Sequence, residues 1–383
     1  MSIYGKRRLA VALVILLAAV LAAAGCGSTP EAKILKIGVI GPESGSFTAL
    51  GQAQHRAARL AVDEINANGG AGGWQLEVFF EDDAGNPTKA ASAAGKLISQ
   101  VKTGLILGPV QNPATLAAMV ITARAGVPQV TAGATGTAVT QQGNKWLFRT
   151  ALREDLEADA VVKYAKETLG LARVATLTAD DEYGQGGARL LGAAAKQQGL
   201  QVVAGHIYAA GDKDYKTQLT AIKESDAQAI FLWGQPADTA LIAKQASAMR
   251  LGVQLFAPSL MATSLIELGG GAVNGLILSQ TFLAEAPGPR GQEFIAKYKA
   301  RYGEAPGPLA AQTYDAVHII ADAVKRADSA APAPLRDALA KTAGLTLVTG
   351  EPRFDASGDD TGKYLILATI KNGKLQPLVT SQK

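Results

Sequence analysis

The chain has 383 residues, of which 48% are hydrophobic, and this length and composition predict two domains, each with a sizeable core. A formal net charge of +4 is small for this length and disfavours the strongly basic surface typical of nucleic-acid-binding proteins. One cysteine and three histidines exclude an internal disulfide framework and disfavour a metal site, so we expect neither a metal nor a cofactor.

The N-terminal residues have the pattern of a secretory signal. Three basic residues at 6–8 account for most of the net charge and precede an unbroken apolar run at 9–24. This run is shorter than the roughly 20 residues that span a membrane. It leads into Cys26 and resembles the bacterial lipoprotein box, in which the cysteine is lipidated. We therefore predict a lipoprotein signal peptide at 1–25, a lipidated Cys26 and a flexible tether at 26–33; the alternative is an ordinary signal that leaves a free thiol.

From Ile34 onward, short β-branched runs alternate with helical segments, which is the pattern of parallel α/β layers. In the first half, the pattern predicts strands at 35–40, 76–81, 104–107 and 128–130 and helices at 53–66, 89–101 and 114–125. In the second half, it predicts strands at 173–177, 201–207, 229–233 and 254–257 and helices at 156–169, 188–198, 215–223 and 237–249. The remaining predicted elements are a strand at 276–280, helices at 291–302, 309–327 and 334–342, and closing strands near 364–370. The predicted architecture is two Rossmann-like lobes.

The sequence contains no catalytic constellation that stands out. Ser44 lies one position too late for a nucleophile elbow, the glycine run at 269–275 lacks the dinucleotide-binding spacing, and no P-loop occurs. The segment 355–359 begins like a calcium loop but lacks the required glycine and glutamate. The acidic residues at 82–83 and 180–182 are predicted to cap helices. We therefore expect a protein that is not an enzyme.

Small polar residues are concentrated in the loops that follow the predicted strands. In open parallel sheets, ligands bind beyond the carboxyl ends of the strands, where backbone N–H groups and helix N-termini are exposed. Hydroxyls, carboxamides and a few aromatics in these loops suit a small polar or carboxylate-bearing ligand. The candidate ligand-binding residues are Ser46, Phe47, Asn112, Gly133, Thr135, Tyr183, Gln235, Leu260 and Met261. Helix capping is the alternative role of Ser46, Asn112 and Thr135.

A series of short motifs follows in a fixed order along the chain. They include IGVIGP at 37–42, AVDEIN at 61–66, DD at 82–83, FRT at 148–150, YG at 183–184 and GDKDY at 211–215. In this order and spacing, from Lys36 to the end, the chain resembles the periplasmic branched-chain-amino-acid-binding family, the type I substrate-binding proteins of ABC importers.

The resemblance implies a periplasmic binding protein-like I fold of two lobes joined by a three-stranded hinge, which close on a ligand like a clamp. It places lobe 1 at 34–152 plus 281–352 and lobe 2 at 153–280 plus 353–383. The implied crossings between the lobes lie near 150–155, 280–282 and 351–367.

The resemblance also assigns roles to single residues. It places the family's carboxylate-binding positions on Asn112, Gly133 and Thr135 and its second-lobe aromatic on Tyr183. The family's acidic residue, which pairs with the α-ammonium of the ligand, falls on Leu260 or Met261. Burying an ammonium beside such side chains costs several kcal/mol, so the sequence favours an apolar or aromatic acid over an ordinary α-amino acid.

Two further positions depart from the family pattern. The aromatic residue of the family's first loop falls on Leu50, although Phe47 is nearby. The two cysteines of the family's first-lobe disulfide fall on Gly85 and Gln111.

The function that the resemblance implies is that of an extracytoplasmic solute-binding protein of an ABC importer. Its ligand is a small carboxylate-bearing solute, either amino acid-like or an apolar or aromatic acid. The expected partners are this ligand, the ABC permease of the inner membrane and the membrane itself through lipidated Cys26, with no nucleic acid. We expect a monomer in the periplasm or at the cell surface. The alternative is a ligand-sensing lipoprotein of the same fold that signals to a membrane receptor.

Overall fold

The computed structural model describes residues 33–259 and 262–381. The predicted signal peptide, Cys26 and most of the tether lie outside the described residues, as do Leu260 and Met261. Within the described part, the chain forms two β-sheets and eleven α-helices. None of these helices is long and apolar enough to cross a membrane.

Strands and helices alternate along most of the chain. The strands are β1 (Lys33–Gly41), β2 (Trp74–Asp82), β3 (Leu105–Leu107), β4 (Gln129–Thr131), β5 (Leu147–Arg149), β6 (Arg173–Ala179), β7 (Gln201–Tyr208), β8 (Ala229–Trp233), β9 (Gln254–Ala257), β10 (Ile277–Gln280), β11 (Leu365–Lys371) and β12 (Lys374–Ser381). The helices are α1 (Thr48–Ala67), α2 (Pro87–Lys96), α3 (Asn112–Ala125), α4 (Glu154–Lys163), α5 (Glu182–Gln198), α6 (Lys216–Glu224), α7 (Pro236–Ala248), α8 (Ala262–Gly269), α9 (Pro289–Tyr302), α10 (Pro308–Ala327) and α11 (Pro332–Ala340). The predicted α/β class is confirmed.

The first sheet has five strands in the order β2-β1-β3-β4-β5. From β1 to β5 the pairing is parallel, and one row across the sheet runs through Val39, Leu107, Val130 and Phe148. All four are buried, as expected for a parallel sheet that is covered on both faces. Helices α1, α9, α10 and α11 contribute to the large core on one face, while α2 and α3 pack with Ile40 on the other.

The second sheet has seven strands in the order β12-β11-β10-β9-β8-β6-β7. The pairing is parallel from β7 to β10, and the C-terminal hairpin of β11 and β12 continues the sheet in antiparallel pairing. Alternate residues of β8 pack into different hydrophobic cores, because successive side chains of a strand point to opposite faces of the sheet. Phe231 and Trp233 pack with α4 and α5, whereas Ile230 and Leu232 pack with α6 and α7.

The chain passes between the two sheets three times. The first passage follows β5, the second lies between β10 and α9, and the third lies between α11 and β11. An isolated β-bridge joins Arg149 to Asp359, so the first and third passages lie side by side there. A second bridge, between Gly350 and Lys363, lies within the third passage.

Two helices begin more than one turn earlier than the sequence predicted. Helix α1 begins at Thr48 and α5 at Glu182, in segments where glycine favours a loop. The glycines allow close packing instead: a Cβ atom on Gly51 would lie 2.0 Å from the carbonyl oxygen of Pro42, and one on Gly187 would lie 2.1 Å from Cγ of Trp233. Strand β5 and helix α8 were not predicted, since three residues of β5 carry too little periodicity to be recognised.

Candidate functional site

A cavity of about 350 Å³ opens where the loops at the carboxyl ends of strands from both sheets face each other. Seven of the nine predicted ligand-binding residues line it, namely Ser46, Phe47, Asn112, Gly133, Thr135, Tyr183 and Gln235. The other two, Leu260 and Met261, lie outside the described residues, but the neighbouring Ser259 lines the cavity as well. The structure therefore brings together every predicted site residue that it describes.

Each wall of the cavity comes from one sheet. Ser46 and Phe47 lie between β1 and α1, Asn112 begins α3, and Thr135 follows β4. The other wall is formed by Tyr183 in the first turn of α5, Gln235 before α7 and Ser259 after β9. Clefts at the carboxyl ends of parallel strands are the usual place for ligands in open α/β sheets.

Helix capping, the alternative role of Ser46 and Asn112, does not occur at α1 and α3. The residues that precede α1 and α3 are Phe47 and Gln111, and neither makes a side-chain capping bond. Asn112 Oδ1 instead accepts a hydrogen bond from the backbone N–H of Gly136 at 3.0 Å.

Asn112 and Thr135 share one acceptor that the sequence analysis missed. Asn112 Nδ2 donates to Glu154 Oε1 at 3.2 Å, and Thr135 Oγ1 donates to the same oxygen at 2.7 Å. Glu154 is only 3% exposed, and burial raises its pKa. Because Glu154 lies outside every loop that follows a predicted strand, no signal in the sequence marked it.

The acidic residue after β2 organises the entrance loop of the first wall. Asp82 Oδ1 accepts from the backbone N–H groups of Glu43 and Ser44, and Asp82 Oδ2 accepts from Ser44 Oγ at 2.5 Å. The predicted capping role of Asp82 is therefore wrong, since Asn86 caps α2. Ser44, which lies one position too late for a nucleophile elbow, donates this hydrogen bond to Asp82 at the end of β2.

Tyr183 joins the second wall to the core. Its ring lies 5.9 Å from that of Trp233, which is 1% exposed. Asp181 caps α5 as predicted, since its Oδ1 accepts from the backbone N–H of Gly184 at 2.7 Å. The cap and the close approach of Gly187 to Trp233 fix the first turn of α5, and with it Tyr183.

Ser259 is held by a buried carboxylate on α4. Its backbone N–H and Oγ donate to Glu157 at 3.0 and 2.5 Å, and Ser279 Oγ donates to the same group at 3.1 Å. Burial raises the pKa of Glu157 to about 7. Glu157 thus positions the loop that leads to Leu260.

The charged side chains among the described residues that line the cavity are all acidic. Asp181 and Glu182 line it, while the described lining residues include no lysine, arginine or histidine. Gln111 also lines it, and neither the oxygen nor the nitrogen of its carboxamide has a hydrogen-bond partner among the described residues. In the sequence, Gln111 stands out only because it occupies a position where the family has a disulfide cysteine.

In the described part of the chain, no group of three or more histidine, cysteine, aspartate or glutamate side chains could hold a metal ion.

Two α/β sheets, three chain passages between them and a cleft at the strand ends define the class of bilobal binding proteins. The comparisons agree: the sequence model of the family described as periplasmic binding protein matches residues 34–374. The chain belongs to that family and, within it, to the ABC-transporter substrate-binding proteins of the Leu/Ile/Val-binding type. The resemblance seen in the sequence is thus confirmed.

Similar proteins align over most of both chains. The leucine-, isoleucine-, valine-, threonine- and alanine-binding protein of Pseudomonas aeruginosa is 29% identical over 89% of this chain and 91% of its own. The substrate-binding protein LivJ of Streptococcus pneumoniae, solved in complex with isoleucine, is 30% identical, covers 92% of this chain and all of its own, and gives a TM-score of 0.84. A solute-binding protein of Rhodopseudomonas palustris in complex with benzoate is 23% identical over 91% of this chain and 96% of its own, with a TM-score of 0.81, and shares the fold.

Proposed function

We propose that this protein captures a small amino acid-like solute in the cleft between its two sheets and delivers it to the permease of an ABC importer. The observation that carries the proposal is the cavity itself, which loops of both sheets line together. A ligand that touches both walls favours a closed arrangement over an open one, because it gains contacts only when the walls approach. The lobes at 34–152 plus 281–352 and at 153–280 plus 353–383 are the two halves of this clamp.

The charges in the cavity support a ligand that bears an ammonium group. Asp181 and Glu182 provide the negative charge that the sequence analysis sought at Leu260 or Met261. An acid without an ammonium group meets these carboxylates and no cationic side chain among the described lining residues, which disfavours it. Among the two kinds of ligand expected from the sequence, the described cavity therefore favours the amino acid-like one. The similarity to proteins named for leucine, isoleucine and valine supports the same choice.

The remaining cavity groups suit the other ends of such a ligand. The Ser46 hydroxyl and the Gln111 and Gln235 carboxamides offer donors for a carboxylate, while Phe47, Leu50 and Tyr183 offer apolar surface.

We further propose that Cys26 is lipidated and that it anchors a monomeric binding domain to a membrane surface outside the cytoplasm. Mass spectrometry of the mature N-terminus tests this, with diacylglyceryl-modified Cys26 as the expected result and a free thiol as the contrary one. A transport role is tested by solute uptake in vesicles that contain the permease and its ATPase.

Binding is tested by isothermal titration calorimetry on a panel of the twenty amino acids, benzoate and 4-methylpentanoate. We expect saturable binding of one or more apolar amino acids and weaker or no binding of the two acids. Binding of the acids alone would overturn the amino acid-like ligand. A protein that binds no member of the panel would overturn the proposal as a whole.

A further inference from the structure

Basic residues are concentrated at the end of the first sheet that lies away from the cavity. Strands β1, β3, β4 and β5 run parallel, so their amino ends lie at one edge of the sheet, while the loops of the first cavity wall lie at the other edge. The segments at the amino ends are 34–36, 102–104, 124–128 and 143–146. We call the surface that these segments form the amino-end face.

Backbone contacts join the segments of the amino-end face. The backbone N–H of Gly104 donates to the carbonyl oxygen of Lys36 at 2.9 Å, and Lys36 Nζ reaches the carbonyl oxygen of Val101 at 3.5 Å. Farther along the sheet, the backbone N–H of Gln129 donates to the carbonyl oxygen of Trp146 at 2.7 Å. Neighbouring strands lie about 4.8 Å apart, so these four strand ends together span only about 15 Å.

The charge of the amino-end face differs from that of the rest of the protein. Its segments contain four cations and no aspartate or glutamate, the cations being Lys36, Lys102, Arg124 and Lys145. Lys102, Arg124 and Lys145 are exposed, and Lys36 is half-buried. Apart from the basic residues of the signal, the 37 lysines and arginines of the chain nearly balance its 33 acids.

The second sheet shows no such excess at the amino ends of its parallel strands. There Arg173 and Arg250 lie with Glu224 and Asp226, and Arg173 pairs with Asp226 at 3.5 Å. The positive surface is therefore specific to one end of the molecule.

The helix ends that adjoin the amino-end face do not change its charge. Residues 322–337 carry equal numbers of acids and cations, namely Asp322, Asp328 and Asp337 with Lys325, Arg326 and Arg336. Arg326 pairs with Asp322 and Arg336 pairs with Asp337. The excess of the four cations therefore remains.

A groove of about 390 Å³ opens in the amino-end face. Ile34, Lys36 and Lys102 line it together with Ala330 and Pro332 of the connection between α10 and α11. Ile34 is 38% exposed between the two lysines. Apolar side chains beside basic ones are typical of surfaces that lie against anionic lipid, because apolar contact and charge attraction then act together.

The proposed anchor holds the chain close to this face. Eight peptide units join Cys26 to Ile34, and even fully extended they reach at most about 29 Å. The charges within the tether, Glu31 and Lys33, offset each other. A chain lipidated at Cys26 therefore enters the domain at the amino end of β1, which is the end of the sheet that carries the basic residues.

We propose that the amino-end face binds the anionic phospholipid surface in which lipidated Cys26 is anchored. Basic groups within about 8–10 Å of an anionic membrane are attracted to it. Because the first wall of the cavity lies at the other end of the same strands, this contact directs that wall away from the membrane, where solute is captured. Delivery to a permease then requires release from the lipid. The inference rests on the proposed lipidation and adds to it the orientation of the anchored domain.

Vesicle sedimentation tests the face in the absence of the anchor. The probe is the mature chain with Cys26→Ser, and the vesicles contain either equal parts of phosphatidylglycerol and phosphatidylcholine or phosphatidylcholine alone. We expect binding to the anionic vesicles at about 0.01 M salt and release at about 1 M, because the Debye length falls from about 30 to 3 Å. Binding to neither kind of vesicle, or equal binding to both, would overturn the inference.

A triple variant locates the binding surface. Lys102→Asn with Arg124→Gln and Lys145→Gln removes three exposed cations of the amino-end face, and we expect its partition coefficient on the anionic vesicles to fall at least tenfold. Asparagine is chosen at position 102 because Lys102 has a left-handed backbone with φ 63°, which asparagine tolerates.

The matched control is Arg250→Asn with Lys196→Gln and Lys223→Gln. It removes three exposed cations around the second sheet, one of them also at a left-handed position, since Arg250 has φ 51°. The control should keep its partition coefficient within twofold. Equal losses in the two triple variants would show that net charge, and not the amino-end face, causes binding, and would overturn the inference.

Circular dichroism establishes that both triple variants fold. Should the first variant fail to fold, the lipid and salt dependence of the Cys26→Ser chain still decides the matter. Failure of vesicle binding overturns this inference alone, since mass spectrometry of the N-terminus and calorimetry with solutes test the lipidation and the proposed function separately. A free thiol at Cys26 would overturn the anchor, and with it the orientation inferred here.

Discussion

Arg149 and Asp359 form a buried ion pair that joins the first and third passages of the chain between the sheets. Arg149 Nε donates to Asp359 Oδ1 at 2.8 Å, and the Arg149 side chain is fully buried. Thr140 Oγ1 and Arg153 Nη1 also reach Asp359 Oδ2, at 3.0 and 3.4 Å. Asp359 therefore ties the first passage to the third, and in the clamp that we propose this region is the hinge.

Asp359→Asn should destabilise the protein by about 3 kcal/mol or more. The substitution leaves the guanidinium of Arg149 buried without its counter-charge, and breaking a buried pair in this way typically costs 3–5 kcal/mol. Urea denaturation followed by circular dichroism measures the loss. Asp337→Asn removes an exposed partner of Arg336 and should cost less than about 1 kcal/mol. Equal losses in the two variants would contradict the expectation.

A methyl group at Gly187 should disturb the core beside Tyr183. The added Cβ would lie 2.1 Å from Cγ of Trp233, so Gly187→Ala should cost about 1–3 kcal/mol and change tryptophan fluorescence. Gly192→Ala on the same helix meets no atom within 4 Å and should stabilise by up to about 1 kcal/mol through helix propensity. Thermal denaturation of both variants checks this, and a stable Gly187→Ala would show that α5 can shift.

Glu157 should make stability depend on pH. Burial raises the pKa of Glu157 in the folded state to about 7, well above that of an unfolded glutamate. The folded state therefore binds this proton more tightly, and the resulting stability is complete below the unfolded pKa and is lost as pH rises through about 7. The expected loss from this group is about 3 kcal/mol between pH 4.5 and 8.

The contribution of Glu157 is measured as the difference between wild type and Glu157→Gln. Urea denaturation at several pH values between 4.5 and 8 should give a smaller decline for the variant, which cannot ionise at this position. Other buried groups titrate in both proteins, and their effects cancel in the comparison. Parallel pH profiles for the two proteins would be incompatible with a raised pKa of Glu157.

Gln111→Leu should weaken ligand binding without loss of stability. The carboxamide of Gln111 has no partner among the described residues, and a buried polar group without a partner costs roughly 1–3 kcal/mol. Leucine removes this cost, so the melting temperature of the ligand-free protein should stay or rise, while affinity for the bound amino acid should fall at least fivefold. Calorimetry and thermal denaturation test both parts, with Gln292→Leu on the exposed face of α9 as the control. Unchanged affinity would show that Gln111 does not contribute to ligand binding.

Asn112 and Thr135 are less suitable for such a test than the sequence suggested. Both solvate the buried carboxylate of Glu154, so replacing them together with alanine leaves that group without its side-chain donors. We therefore expect Asn112→Ala with Thr135→Ala to lower stability as well as affinity, whereas the loss of two ligand contacts would by itself lower affinity alone.

The sequence was sufficient for the fold and for the location of the cavity. Strand β8 at 229–233 was predicted with its observed ends, because a continuous apolar run between turn signals marks a buried strand. The loops were identifiable because ligands bind at the ends of parallel strands, and Ser46, Asn112 and Tyr183 meet there as expected.

The contacts between cavity-lining residues and the buried residues behind them could not be predicted from the sequence. Glu154 meets Thr135 because one chain passage brings the start of α4 beside the loop after β4, and no periodic pattern encodes that meeting. Likewise, Gln111 lines the cavity, while its position alone indicates only the absence of a cysteine. Helix α5 was shortened in the prediction because Gly187 serves close packing and not a turn.

The core of the first sheet is built from two distant stretches of the chain, one from Leu35 to Phe148 and one from Phe282 to Leu339. During synthesis, the apolar face of the first stretch has no cover until the second has been made, by which time β6 to β10 of the other sheet are already present. Contacts between such distant segments are slow to form, because the entropy of loop closure must be overcome first. We therefore expect the N-terminal half to remain unfolded until late in synthesis, and a protease that cuts between 150 and 280 in the unfolded chain would leave neither fragment with a complete core.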